Sequence, residues 1–532
     1  MRFTLYSSEA GAAGNVVASR LSENPNFSVL VVEAGVTNEG VVPIAVPFLA
    51  PTNQPMTAVT WNYTTVPQSN LDGRILTYPR DFLVYTRGSN EGYDQWANLI
   101  GDDSWAWRNL EPFYLKSSRL VPPVDGRNTS GLVDPRAHGD GPIEISLIGM
   151  PTELTKLMLE TSLNSTSEFP FTVDINGGNG VGIGAPQSTV GGGQRSSSAT
   201  AYLEPILTRK NVDVLIQTTV TRLITTGSSE GKPVFSKVEM ATNSTSKRVT
   251  VTARKEIVLS AGAIGTPQIL MLSGIGDRSS LEAIGIKSRL HLPDVGQNLV
   301  DHPIIASFFN VTSNKTSDDI FRNSTLFNAD LAQWTAHKDG IFANLPSSGA
   351  GFLRLPDNAT IFTNFSDPTA GPKSPHFEII FSDYFNPDGI VPRPATGSYM
   401  TISVAVLSPL SRGSVTLNSS DPFAFPNIDP NFLSSPFDQF VAVEAIKSIR
   451  RFVTAPPWTG FVSGQFGNVG SAQTDDEILA EIRQVTRTIF HPTCTARMSP
   501  KDAKWGVVDP ELLVKGAVGL RVVDASVFPA SP

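Results

Sequence analysis

The sequence predicts an α/β protein, α+β overall: a Rossmann-like nucleotide-binding domain joined to a substrate domain built on an antiparallel sheet. Three observations carry this. An apolar strand, Ile257 to Ser260, runs into Gly262-Ala263-Ile264-Gly265, a short helix, and a second glycine turn at Gly274-Ile275-Gly276. Small residues let a backbone approach a ligand closely, and the open N–H groups of a helix start suit phosphate. The amino-terminal segment reads strand (Phe3 to Ser7), glycine turn (Gly11, Gly14), helix (Asn15 to Glu23) and strand (Phe27 to Val32), with Glu33 immediately after. In that βαβ order an acidic residue about 20 positions past the glycines binds a ribose hydroxyl. Lastly, Pro- and Asn-rich text over residues 300–400 is followed by strand-like runs at Tyr399 to Leu407 and Gly413 to Leu417, which read as a separate sheet.

Further strands are expected at Val212 to Ile216, Val249 to Thr252 and Ile257 to Leu259, returning the chain to the nucleotide domain. Helical text from Asp475 to Arg487 leads to Ile489-Phe490-His491-Pro492. The expected division is 1–300 with 485–532 for the nucleotide domain and 301–484 for the substrate domain, part of 100–190 lying on the substrate side. No internal repeat is present.

At 532 residues the chain is long enough for two sizeable cores, and 40% hydrophobic with 17% charged is globular composition. A net charge of −8 argues against nucleic acid, whose phosphates demand a basic face. No apolar run approaches the roughly 20 residues of a membrane span. The chain is expected to be a monomer.

Cys494 is the single cysteine, which excludes an intrachain disulfide and a cysteine metal site, and no metal is expected. Asn-x-Ser/Thr sequons recur at Asn26, Asn62, Asn128, Asn164, Asn243, Asn310, Asn314, Asn323, Asn358, Asn364 and Asn418. Their number favours a secreted glycoprotein, with a leader that does not precede Met1-Arg2-Phe3 here.

The first glycine of GxGxxG is replaced by Glu9, a carboxylate where phosphate charge is expected. Glu33-Ala34-Gly35 at the correct distance restores the nucleotide reading.

The chain closely resembles the glucose–methanol–choline family of flavin oxidoreductases. Gly262 to Gly276 matches its second signature, and Asn15 to Leu21 and Leu30 to Gly35 look like its opening. Trp61-Asn62-Tyr63, Tyr78-Pro79-Arg80 and Gln194 to Leu203 match later landmarks. The resemblance implies FAD, with Gly11, Gly14, Glu33 and Gly262 around it and Val220 holding the adenine through backbone atoms. It implies Asp524 and Ala525, in Arg521 to Pro529, at the ribityl or pyrophosphate; the plain alternative for Asp524 is a turn or cap. Asp301-His302-Pro303 matches a family turn, and His302 is read as structural or cofactor-adjacent.

Phe490 to Met498 resembles the family motif HPxGT, with Cys494 where glycine is expected. The resemblance makes His491 the general base that accepts the alcohol proton as hydride moves to the flavin, a task suited to an imidazole. Within the family the likeness runs to the aryl-alcohol oxidases of wood-decay fungi, through Asn128 to Gly131, Asp318 to Arg322 and Trp505 to Pro510. That implies oxidation of primary aryl or allylic alcohols to aldehydes, with oxygen or a quinone as acceptor. It places Phe490 and Phe385 around a flat substrate, the alternative being that both rings are core.

Two departures bear on activity. Asp81 to Thr86 replace the family's glycine- and serine-rich loop, and the chain stops at Pro532, before the family's second active-site His or Asn. These leave two rival readings open: an inactive or misassembled chain lacking part of the FAD site, and a hydroxynitrile lyase of the same family. FAD is expected to be non-covalent.

Overall fold

The computed structural model describes residues 2–8, 11–53, 59–78, 85–164, 168–387 and 389–531. Glu9, Pro79, Arg80, residues 81–84 of the shortened loop and Pro532 lie outside them.

The nucleotide side is a seven-stranded sheet. Its order is Val212–Leu215, Val29–Val32, Arg2–Ser8, Val249–Leu259, Lys232–Ala241, Thr219–Ser229, with Leu520–Val522 also pairing Val249–Leu259. The first four strands run parallel, Ser8 lying between Val32 and Leu259. All four residues of Val29–Val32 are buried, as a central parallel strand covered on both faces requires. The helix Ala12–Leu21 makes the crossover, burying Ala18 against Val29 and Val31. It ends two residues earlier than Glu23, with Ser22 as its cap.

The two strands expected at 249–252 and 257–259 are one, Val249–Leu259. The charged text that separates them, Arg254 and Lys255, sits exposed along the continuous strand. Its first half pairs antiparallel with Lys237 to Met240 and its second half parallel with Leu520 to Val522.

The other side is a six-stranded sheet in the order Gly349–Leu353, Phe377–Ser382, Tyr399–Val406, Pro303–Val311, Val462–Phe466, with Arg487–Thr488 also on Pro303–Val311. Every pairing in it is antiparallel. The 17-residue helix Pro436–Phe452, capped by Ser435 with Pro436 at its first position, covers one face. It packs Val441, Ala445, Ile449 and Phe452 into one core with Phe377, Ile379, Phe381, Ile402 and Val404. Leu154 and Met158 of the helix Glu153–Asn164 join that core.

Two differences from the sequence reading stand out. Gly413–Thr416 leaves the large sheet for a three-stranded one with Gln297–Leu299 and Asn427–Asp429, because Val415 N–H bonds the carbonyl of Gly296 at 2.7 Å. Within the Pro- and Asn-rich stretch lies a 14-residue helix, Ser324–His337, whose start is fixed by Asn323 accepting from the Thr325 and Leu326 N–H groups.

Candidate functional site

The carboxyl ends of the parallel strands converge where an open α/β sheet binds its ligand. Gly11 caps the helix Ala12–Leu21 without a side-chain bond, leaving first-turn N–H groups open, and Gly14 is buried inside the helix. Glu33 follows the second strand half-buried, its carboxylate accepting from Gly35 N–H at 2.7 Å. Val220 is buried at the start of Thr219–Ser229, opposite Met240.

Gly262 opens the helix Gly262–Leu272 at φ +76°, a conformation that glycine adopts without a Cβ penalty. Asp524 ties this helix to the carboxy-terminal run. One carboxylate oxygen accepts from Gly262 N–H at 2.9 Å and Thr266 Oγ1 at 2.6 Å; the other accepts from Ser526 N–H at 2.8 Å. The cap alternative for Asp524 is therefore present in the geometry, since it caps the short turn Ala525–Val527.

The histidine motif is stitched across the same run. Cys494 N–H bonds the Ala525 carbonyl at 3.2 Å, Ala496 that of Ser526 at 2.8 Å, and Met498 that of Val527 at 2.8 Å. Thr495 Oγ1 donates to the Ala263 carbonyl at 2.7 Å. Cys494 holds φ +72°, which explains in backbone terms why glycine is expected there. Its thiol is fully buried, and burial pushes it up to about 11.

His491 is held at both ends. Its N–H donates to Asp301 Oδ1 at 2.9 Å, and its Nδ1 lies 3.1 Å from His302 Nδ1. Burial lowers His491 to about 4 and His302, also beside His491, to about 3, so both rings are neutral at ordinary pH. His302 Nε2 lies 2.8 Å from Ser531 Oγ. Asp301 is the hub: it also accepts from His302 N–H at 2.8 Å, Thr488 Oγ1 at 2.6 Å and the Tyr78 hydroxyl. Burial pushes Asp301 up to about 6, opposed by those donors.

A cavity of about 180 Å³ opens in front of the two histidines. Its wall is mixed, with Ser89, Gln95, Glu378, Ser408 and Arg412 among its polar residues and Ile175, Phe352 and Leu407 as apolar patches. The segment Pro368 to Pro375 forms one side, held by Arg354, which donates to Thr369 Oγ1 at 3.0 Å, Gly371 O at 2.8 Å and Asp367 at 2.7 Å.

Neither ring expected around the substrate lines this cavity. Phe385 is fully buried elsewhere, stacked on Phe308 at 4.3 Å with its N–H bonded to Asp318. Phe490 is half-buried at φ +66°, its N–H bonded to Thr488 Oγ1 at 2.7 Å. His302, read as structural or cofactor-adjacent, touches His491 directly. The sequence marks Asp301 only through the Asp301-His302-Pro303 turn and its place beside His302, and Glu378 only as an isolated Glu in an apolar strand.

The pattern of the GMC oxidoreductases matches residues 81–304 and 409–532. A pyranose dehydrogenase of Agaricus campestris is 38% identical over 98% of this chain and 89% of its own length. The chain belongs to the GMC oxidoreductase family. The dehydrogenase eriK of Hericium erinaceus is 36% identical over 98% of this chain and 89% of its own. Among solved structures, the formate oxidase of Aspergillus oryzae superposes with a TM-score of 0.89 at 29% identity, covering 100% of this chain and 94% of that one. A fungal aryl-alcohol oxidase gives 0.82 at 25% identity, covering 100% and 95%.

This GMC oxidoreductase is thus an FAD-dependent oxidoreductase acting on CH–OH donors. The donor set fits the cofactor: an uncapped helix start after a parallel strand and a half-buried Glu33 at the second strand's end suit a dinucleotide. No group of His, Cys, Asp and Glu among the described residues could hold a metal ion. No described helix is long and apolar enough to cross a membrane.

Proposed function

We propose that this chain oxidises a secondary or primary alcohol carbon of a hydroxyl-rich small molecule, a pyranose being the class its relatives point to, with His491 as the general base. The observation that carries it is His491 beside His302 at the wall of a cavity that offers both polar and apolar groups, in a motif whose Cys494, Ala496 and Met498 are stitched to the Ala525–Val527 backbone. Bound FAD supplies the hydride acceptor. Gly11, Gly14, Glu33, Val220, Gly262, Asp524 and Ala525 are the residues proposed to hold it, in a domain of 1–300 with 485–532 set against a substrate domain of 301–484.

Two neutral tautomer pairs satisfy the His302–His491 contact. In the one that leaves a base, His491 Nδ1–H donates to His302 Nδ1, and His302 Nε2–H donates to Ser531 Oγ. His491 Nε2 is then the ring nitrogen whose lone pair takes the alcohol proton. Oxygen or a quinone takes the electrons.

The aryl or allylic primary alcohol is the second reading, favoured by the Phe352 and Leu407 patch in the cavity and by the likeness to the aryl-alcohol oxidase. Secretion is proposed from the sequons, of which Asn26, Asn128, Asn164, Asn243, Asn314, Asn323, Asn358, Asn364 and Asn418 are exposed. Steady-state turnover of D-glucose against benzyl alcohol, with a quinone acceptor, tests the substrate class. A higher kcat/KM for glucose supports the first reading and a higher value for benzyl alcohol the second.

A further inference from the structure

The strand Phe377–Ser382 sends alternate side chains to opposite faces. Phe377, Ile379 and Phe381 enter the apolar core, and Glu378 faces the cavity that holds His491 and His302. Across the strands its neighbours are Phe352 and Ala405, neither of which brings a hydrogen-bonding side chain. Glu378 is 5% exposed, and among the described residues no group hydrogen-bonds its carboxyl. Burial alone acts on it and raises it to about 8.

The cations along the same wall do not pair with it. Arg412 donates to the carbonyls of Pro409 and Ser411 at 2.7 and 2.9 Å. Arg87 donates to Ala137 O at 2.6 Å and to the Tyr85 hydroxyl at 3.0 Å. A buried carboxyl without a protein partner is kept neutral and takes its partner from whatever fills the cavity.

We propose that Glu378 is a specificity residue that binds a second hydroxyl of the substrate, while His491 acts on the reacting one. A neutral carboxyl both donates and accepts a hydrogen bond, which matches a hydroxyl in both roles. An unsubstituted aryl ring offers it neither. This rests on the hydroxyl-rich reading proposed above.

The test uses purified holoenzyme with D-glucose and benzyl alcohol as probes. The readout is the ratio of kcat/KM for glucose to that for benzyl alcohol. Glu378→Leu is expected to lower the ratio about 10- to 100-fold, and Glu378→Gln, whose amide both donates and accepts, to keep it within about threefold. In infrared difference spectra, adding glucose is expected to shift the carbonyl stretch of a protonated carboxyl, and that band is absent in Glu378→Gln. Glucose turnover with an unchanged ratio in Glu378→Leu, or with no carboxyl band, overturns the role of Glu378 alone. Wild-type enzyme that oxidises benzyl alcohol and not glucose overturns the hydroxyl-rich reading together with it.

Discussion

His302 Nδ1 faces His491 Nδ1 across 3.1 Å, with the two rings nearly perpendicular at 83°. Such a contact orders the tautomer of one ring through the other, so His302 is a positioning residue for the proposed base. His302→Leu is expected to lower kcat about 10- to 100-fold with KM changed less than threefold. His302→Gln, whose amide oxygen accepts from Nδ1–H, recovers most of that loss. Equal losses in both variants point to packing instead.

His491 itself is expected to matter more. His491→Ala should lower kcat/KM by about 10²–10⁴-fold, the range for a positioned acid–base group, while the flavin content stays at the wild-type level. Flavin absorbance per protein and steady-state rates check both parts.

The pH dependence follows from burial. A base must be neutral, and burial lowers His491 to about 4, so protonation of His491 makes kcat/KM fall tenfold per unit below about pH 4. The stability consequence has a definite sign. Between the ordinary value of 6.5 and the folded values of about 4 for His491 and about 3 for His302, only the unfolded state takes up these protons. Their contribution is full above 6.5 and is lost as pH falls through that window. Glu378 acts oppositely: held at about 8, it contributes fully below its ordinary 4.5 and loses this as pH rises through 8. Thermal scans of Glu378→Gln against wild type should show the wild type gaining relative stability as pH falls from 9 to 5.

Cys494 carries a Cβ at φ +72° in a fully buried site. Cys494→Gly and Cys494→Ala both lose the sulfur, but only alanine keeps the left-handed strain. Glycine is therefore expected to be the more stable of the two by about 1 kcal/mol, measured by denaturant unfolding. The buried thiol should resist alkylation until the chain unfolds.

Asp524 bonds Gly262 N–H and Thr266 Oγ1 at once, so it fixes the start of the helix as well as the carboxy-terminal run. Asp524→Ala is expected to reduce bound flavin at least severalfold and to destabilise the protein by about 1–3 kcal/mol. Flavin-to-protein absorbance and a thermal scan on the same sample separate the two effects.

The parallel half of the fold was legible because local signals agree there. Strand Val29–Val32, the glycines at 11 and 14 and the run from Ile257 to Gly276 each announce their element through period, turn chemistry and apolar content. The helix Ser324–His337 was hidden because its apolar residues show little helical period, and only Trp334 is buried. Its capping Asn323 also reads as a sequon. His491 was visible through its motif, whereas its partner His302 lies 189 residues away and meets it through the tertiary pairing of residues 300–304 with 487–493. Phe385 looked like a substrate ring because aromatic character does not reveal whether a ring packs into the core or lines a cavity. Its stacking on Phe308 does.

Anaerobic mixing of the flavin-loaded chain with D-glucose or benzyl alcohol, followed by visible absorbance, tests the central claim most directly. The account predicts that the flavin bands bleach with wild type and that bleaching slows by about 10²–10⁴-fold in His491→Ala. Flavin bands that persist in wild type with both alcohols, or that bleach at the same rate without His491, contradict it.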